Sequence, residues 1–161
     1  MHSMTSCRIQ DYGSVKDITL QLTPLHCLIG PRIAQLGAVS EALRLTAERS
    51  GFYICTIWNP DLDVYPTDIA GKIAMLRRAS KVQQVLLVTQ SPLVVNELKG
   101  EEATLISPDS EGWVVATRLC DTPGFEDAMK VYALGEYWVS YCTGGEEELL
   151  LKGIRREPAK P

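Results

Sequence analysis

No stretch of the 161-residue sequence approaches the ~18 consecutive apolar residues of a membrane-crossing helix, so no membrane partner is expected. The opening residues, Met-His-Ser-Met-Thr-Ser, lack the basic segment followed by an apolar one that marks a secretory leader. A soluble, cytoplasmic protein is the expectation. No C-x-x-C pair occurs, which removes the usual signatures of zinc and dithiol chemistry. The five cysteines, Cys7, Cys27, Cys55, Cys120 and Cys142, are widely spaced in apolar runs and read as buried free thiols. Basic charge is not in excess either. Sixteen Lys and Arg against twenty Asp and Glu give −4, so the surface is not built mainly to neutralise phosphate, and nucleic acid is not an expected partner. Internal repeats and low-complexity blocks are also missing.

What is present describes a globular chain: 45% hydrophobic and 22% charged residues, enough for one core. A single domain over 1–153 is expected, with a disordered tail over 154–161. Apolar and polar residues alternate from Val15 to Leu22, the period of a half-buried strand, and Asp11-Tyr12-Gly13-Ser14 supplies a turn from an earlier strand at 7–10. Thr23-Pro24 separates these from a third strand, Leu25 to Ile29, ended by Gly30-Pro31. Leu36, Val39 and Leu43, with Ala42 and Ala47, then recur at helical spacing and predict a helix over 35–49.

The run Phe52 to Ile57 predicts a strand buried on both faces, and Thr67 an N-cap for a helix reaching Ser80. Val85 to Thr89 predicts a second apolar strand, after which Ser91-Pro92 opens another helix. Strands alternating with helices imply an α/β fold with a mostly parallel sheet, an N-terminal antiparallel β portion and flanking helices. Ala103 to Ser107 and Trp113 to Leu119 predict a hairpin. Leu134, Tyr137, Trp138 and Tyr141 mark a last amphipathic helix.

The stretch CRIQDYGSVKDITLQLTPLHCLIGPRIAQLGAVSEALR resembles the amino-terminal region of ABC-class P-loop ATPases of the SMC and RecF-like group, including AAA-type proteins of bacterial defence systems. It aligns without a gap to the pattern L-x-L-I-G-P-N-G-S-G-K-S-N-L-L-E-A-L-R, keeping Gly30, Pro31, Glu41, Ala42, Leu43 and Arg44. Ile57-Trp58-Asn59-Pro60 is similar to the Walker B strand end. Thr89-Gln90-Ser91-Pro92 is similar to the switch segment T-H-S-P, and Leu134 to Ser140 to the segment L-G-E-L-W-x-S.

The resemblance implies a P-loop NTPase-like core without its arm insertion, since only Ala47 to Tyr53 joins the first helix to the next strand. It also places losses at each chemical position. A P-loop curls backbone N–H groups around phosphate, adds a lysine for the β/γ charge and offers a hydroxyl to Mg²⁺. Here Arg32, Ile33, Ala34 and Gln35 replace the curling residues, Leu36 stands at the lysine and Gly37 at the hydroxyl. Trp58 and Asn59 replace the two Walker B acids, and Gln90 replaces the switch histidine. ATP hydrolysis, a cofactor and a bound metal are therefore not expected. Asp61 and Asp63 read as loop charges, and His26 as a structural strand histidine.

The expected function is that of a non-catalytic pseudo-ATPase. It would serve as a scaffold or regulatory subunit for a protein partner such as an intact ATPase or an effector, within a bacterial DNA-maintenance or defence system; a homodimer is left open. Ile33, Leu36, Trp58, Tyr137 and Trp138 are the candidate interaction residues, with the vacated pocket either filled or covered by the partner; for Tyr137 and Trp138, helical spacing favours core packing of the last helix over a contact surface. The alternative is a nucleotide or small-anion sensor that binds through Arg32 and the helix amino terminus without turnover.

Overall fold

A computed structural model describes residues 3–141. The chain opens with an antiparallel pair, β1 (Ser6–Tyr12) and β2 (Val15–Gln21). Cys7, Ile9, Ile18 and Leu20 point to one side of this pair and are buried, while Arg8 and Asp17 form an exposed ion pair on the other; Val15, beside the turn, is buried as well. The turn passes through Gly13, whose φ of +56° is a left-handed conformation that favours glycine.

A five-stranded sheet follows, ordered β4-β5-β3-β6-β7. Its strands are β3 (Leu25–Ile29), β4 (Cys55–Trp58), β5 (Val85–Thr89), β6 (Ala103–Pro108) and β7 (Val114–Arg118). The first four are parallel and β7 runs antiparallel to β6. The expected α/β class, mostly parallel sheet and separate antiparallel portion are all present. The helices are α1 (Ile33–Arg49), α2 (Ile69–Ala79), α3 (Pro92–Asn96), α4 (Phe125–Ala128) and α5 (Leu134–Tyr141).

Side-chain alternation along the strands divides the core in two. Leu28, Leu86, Val88 and Ile106 face α1 and the β1–β2 pair, packing on Leu36, Val39 and Leu43. Cys27, Ile29, Val85, Leu87 and Leu105 face the other way, onto α2, α3 and α5 through Ile73, Val94, Val95 and Trp138. Each fully buried Leu or Val of this kind contributes about 1.5–3 kcal/mol, so packing on the sheet, more than helix propensity, holds α1 in place.

Several boundaries differ from those the sequence predicts. Helix α1 begins at Ile33 instead of Gln35. Strand β4 starts only at Cys55 and is half-buried or exposed instead of enclosed, because it lies at the end of the sheet and pairs only with β5 among the described residues. Thr67 caps nothing: Pro66–Asp68 form a 3₁₀ turn and α2 starts at Ile69. The expected domain end at 153, the tail over 154–161 and Cys142 lie outside the described residues. Among the described residues, no helix is long and apolar enough to cross a membrane.

Candidate functional site

Strands β3 and β5 are neighbours, yet the chain leaves β3 into α1 on one face and β5 into α3 on the other. A crevice opens where such a divergence occurs at the carboxyl ends of parallel strands, which is where open α/β sheets bind ligands. Its walls are Gly30-Pro31-Arg32 on one side and Gln90-Ser91 on the other. The residues that the sequence singled out in three separate segments meet here.

Gly30 has a structural reason of its own. A Cβ at this position would lie 2.2 Å from the carbonyl oxygen of Ile106 on β6, so no other residue fits without moving backbone. Arg32 is exposed and precedes α1 in an extended conformation, with no side-chain cap bond; its carbonyl accepts the Gln35 and Leu36 N–H groups. Leu36 is fully buried, and its Cδ2 would lie 3.5 Å from a Cβ on Gly30. Helical side chains lean toward the amino terminus, which carries Leu36 back beneath the loop. The position that the resemblance assigns to the lysine is thus filled by hydrocarbon in the core.

The two positions that the resemblance assigns to magnesium also come together. The indole Cη2 of Trp58 lies 3.9 Å from the place of a Gly37 Cβ, so the ring rests on the first turns of α1. Gln90 completes the closure. Its Nε2 donates to the carbonyl oxygens of Gly30 and Pro31, both at 3.0 Å, which ties the end of β5 to the loop after β3. Asn59 donates its N–H to the Val88 carbonyl at 2.8 Å and adopts a left-handed φ of +45°, which asparagine tolerates better than most residues.

Beside this closure, a cleft of about 390 Å³ is lined by Asn59, Asp61, Leu62, Thr89, Gln90 and Ser91. It contains a carboxylate and no basic side chain. Ile33, Trp58 and Leu62 are exposed at 56%, 41% and 68%. The expected interaction set therefore divides. Ile33 and Trp58 are accessible, whereas Leu36, Tyr137 and Trp138 are buried and offer no surface. Tyr137 packs edge-on against Phe125 with ring centroids 5.7 Å apart, and its hydroxyl lies 2.6 Å from Thr122 Oγ1. Trp138 belongs to the core beneath α3, because α5 turns its Leu134, Tyr137, Trp138 stripe inward.

His26 is buried, with Nε2 2.8 Å from Thr104 Oγ1 and Nδ1 3.1 Å from Thr23 Oγ1. Burial, aided by the Arg118 charge, pushes its pKa down to about 4, so it is a neutral, fully partnered core histidine. Cys7 and Cys27 are buried, whereas Cys55 is exposed and Cys120 half-buried, so the reading of the cysteines as buried holds for only two of the four described. Among the described residues, no group of three or more His, Cys, Asp or Glu could hold a metal ion.

Sequence reasoning missed the polar ties that join elements far apart in the chain. Glu102 is buried and takes Arg77 in a two-point ion pair, Nε to Oε1 at 3.1 Å and Nη2 to Oε2 at 2.7 Å. Asn96 Oδ1 accepts the Gly135 N–H at 2.7 Å, holding α5 on α3. Each links elements far apart in the chain, and no local pattern marks them. Compared with models of known protein families and with curated proteins, the chain matches none.

Proposed function

We propose that this chain is a pseudo-ATPase: a domain built like the P-loop head of an ABC-class ATPase, without catalytic capacity, that acts by binding another protein. The observation that carries the reading is the meeting of Gly30, Leu36, Gly37, Trp58 and Gln90 around one crevice that side chains have closed. The resemblance assigns these positions to phosphate, magnesium and the γ-phosphate contact, and they adjoin one another as such a site requires. Phosphoryl transfer depends on a lysine, a metal and a positioned water, and none of these side chains can supply or hold them. Leu36 and Trp58 instead place apolar groups where charge would sit.

The accessible side chains Ile33, Trp58 and Leu62 on this rim support a protein-binding role, with an intact ATPase or an effector of a bacterial DNA-maintenance or defence system as the partner class. The anion-sensor alternative finds less support. The adjacent cleft carries Asp61, whose charge opposes phosphate, and the loop carbonyls of Gly30 and Pro31 are aimed at Gln90.

Titration with ATP·Mg²⁺ and ADP, read as melting temperature and bound nucleotide, tests the reading. Any ligand of the folded state raises stability by RT ln(1 + [L]/Kd). An unchanged melting temperature at millimolar nucleotide is expected. A concentration-dependent rise that Arg32→Ala abolishes would overturn the closed-site reading in favour of the sensor.

A further inference from the structure

The two edges of the five-stranded sheet are treated differently. At β7, the Val114 N–H donates to the Ser14 carbonyl at 3.0 Å, so the β1–β2 turn covers that edge. At β4, no strand or loop among the described residues pairs with the outer side. The Cys55 and Asn59 N–H groups donate inward, to the Gln84 and Val88 carbonyls of the β5 segment. Because alternate residues of a parallel strand share a direction, Thr56 and Trp58 point their N–H and C=O outward.

Exposed edges are normally blunted by shortness, lysine, proline, a bulge or an inward charge, and of these β4 has only its short length of four residues. The segment Phe52-Tyr53-Ile54-Cys55-Thr56-Ile57-Trp58 has none of these residues. Its surroundings are apolar as well: Tyr53, Trp58, Leu62, Tyr65, Met75 and Val82 are all exposed and belong to β4, its flanks or the helix and turn that lead into β5.

Charge along this edge is polarised. At the amino end of the strands lie Arg78 and Lys81, around the end of α2; both are exposed and neither is in an ion pair among the described residues. At the carboxyl end lie Asp61, Asp63 and Asp68, likewise unpaired. An edge that is basic at one end and acidic at the other complements itself when reversed.

We propose that β4 pairs antiparallel with β4 of a second copy of this chain about a two-fold axis, joining the two sheets into one continuous sheet. Such an interface is isologous, with each basic end set against the partner's acidic end, and the outward N–H and C=O groups of Thr56 and Trp58 satisfied across the axis. The proposal goes beyond the pseudo-ATPase reading and does not depend on it, since nucleotide binding and oligomeric state are independent readouts.

Sedimentation velocity of the full chain should give a species of twice the 17.8 kDa chain mass at micromolar concentration, dissociating on dilution and weakened by salt. Thr56→Pro is the decisive variant. The Thr56 N–H faces outward, so proline removes no bond within the chain but blocks the ladder. A folded monomer is expected from it. Should that variant fail to fold, amide exchange in the wild-type chain decides: the Thr56 and Trp58 N–H groups should be protected in concentrated solution and exchange fast on dilution. A chain that stays monomeric at all concentrations, a dimer that survives Thr56→Pro, or fast exchange of both amides within the dimer would each overturn the proposal.

Discussion

Gln90 is hydrogen-bonded to Gly30 across the switch point of the sheet, and the same carboxamide nitrogen reaches the Pro31 carbonyl. Both of its hydrogens are therefore spent on backbone oxygens of one loop. A loop whose carbonyls turn toward a neighbouring strand does not present N–H groups to an anion at those peptides. The crevice is held shut by ordinary neutral hydrogen bonds.

Gln90→Ala removes both bonds while leaving Gly30 in its tight seat against Ile106. The loss should be about 1 kcal/mol for two part-exposed neutral bonds, measured by urea denaturation. Amide exchange should rise in residues 30–34 and stay unchanged in β3. A variant as stable as the parent, with the loop equally protected, would show that the tie contributes nothing.

Supplying the lysine that the resemblance calls for should not create nucleotide binding. Leu36→Lys places an ammonium in a position that is fully buried beneath Gly30 and packed among Val39, Leu43 and Val88. Burying an unpaired charge costs several kcal/mol unless the group deprotonates or the site opens. The expected outcome is a loss of roughly 3 kcal/mol or more with no gain in ATP·Mg²⁺ binding. A variant that kept its melting temperature and bound nucleotide would mean that residue 36 can reach the crevice, contrary to the packing observed.

Much of the scaffold could be read from the chain. Strands β3 and β5 follow from continuous apolar runs, and α1 from the spacing of Leu36, Val39 and Leu43, since these patterns are set by burial itself. Strand β4 misled because composition reports apolarity, while position in a sheet decides exposure; an edge strand with apolar residues reads like a central one. For Leu36, Tyr137 and Trp138 apolarity alone left core and contact surface both open, and the fold places all three in the core. The Gln90 tie, the Arg77–Glu102 pair and the Asn96–Gly135 bond lay beyond reach, because each joins residues whose proximity only the folded topology creates.

Gly135 sits where α5 crosses α3. A Cβ there would lie 2.1 Å from the Pro92 carbonyl oxygen and 2.7 Å from Asn96 Oδ1, both fixed by backbone or by the bond to the Gly135 N–H. Gly135→Ala must push the helices apart. Overpacking of this kind costs about 1–3 kcal/mol, against the slight gain in helix propensity that alanine brings. Thermal denaturation should register the loss, and the near-ultraviolet signal of Trp138 should weaken as its packing loosens. An unchanged melting temperature would show that α5 can slide without penalty.

Acid should weaken the fold through His26 before the carboxylates contribute much. Its folded pKa of about 4 lies below the ordinary histidine value of about 6.5, so between these values the unfolded chain binds a proton that the native state refuses. Stability therefore rises with pH across this window and falls as pH drops through it, at up to roughly 1.4 kcal/mol per unit. Asp17, Glu41 and Asp121 have depressed pKa values through their arginine partners, so the stability they add is lost only at more acid pH. Urea denaturation at intervals from pH 7 to about 5 isolates the histidine. His26→Gln, which keeps a side chain able to reach Thr104 Oγ1, should flatten the profile in that range even if it lowers stability at every pH. A wild-type profile already flat between pH 7 and about 5 would mean that the imidazole takes up its proton inside the folded core.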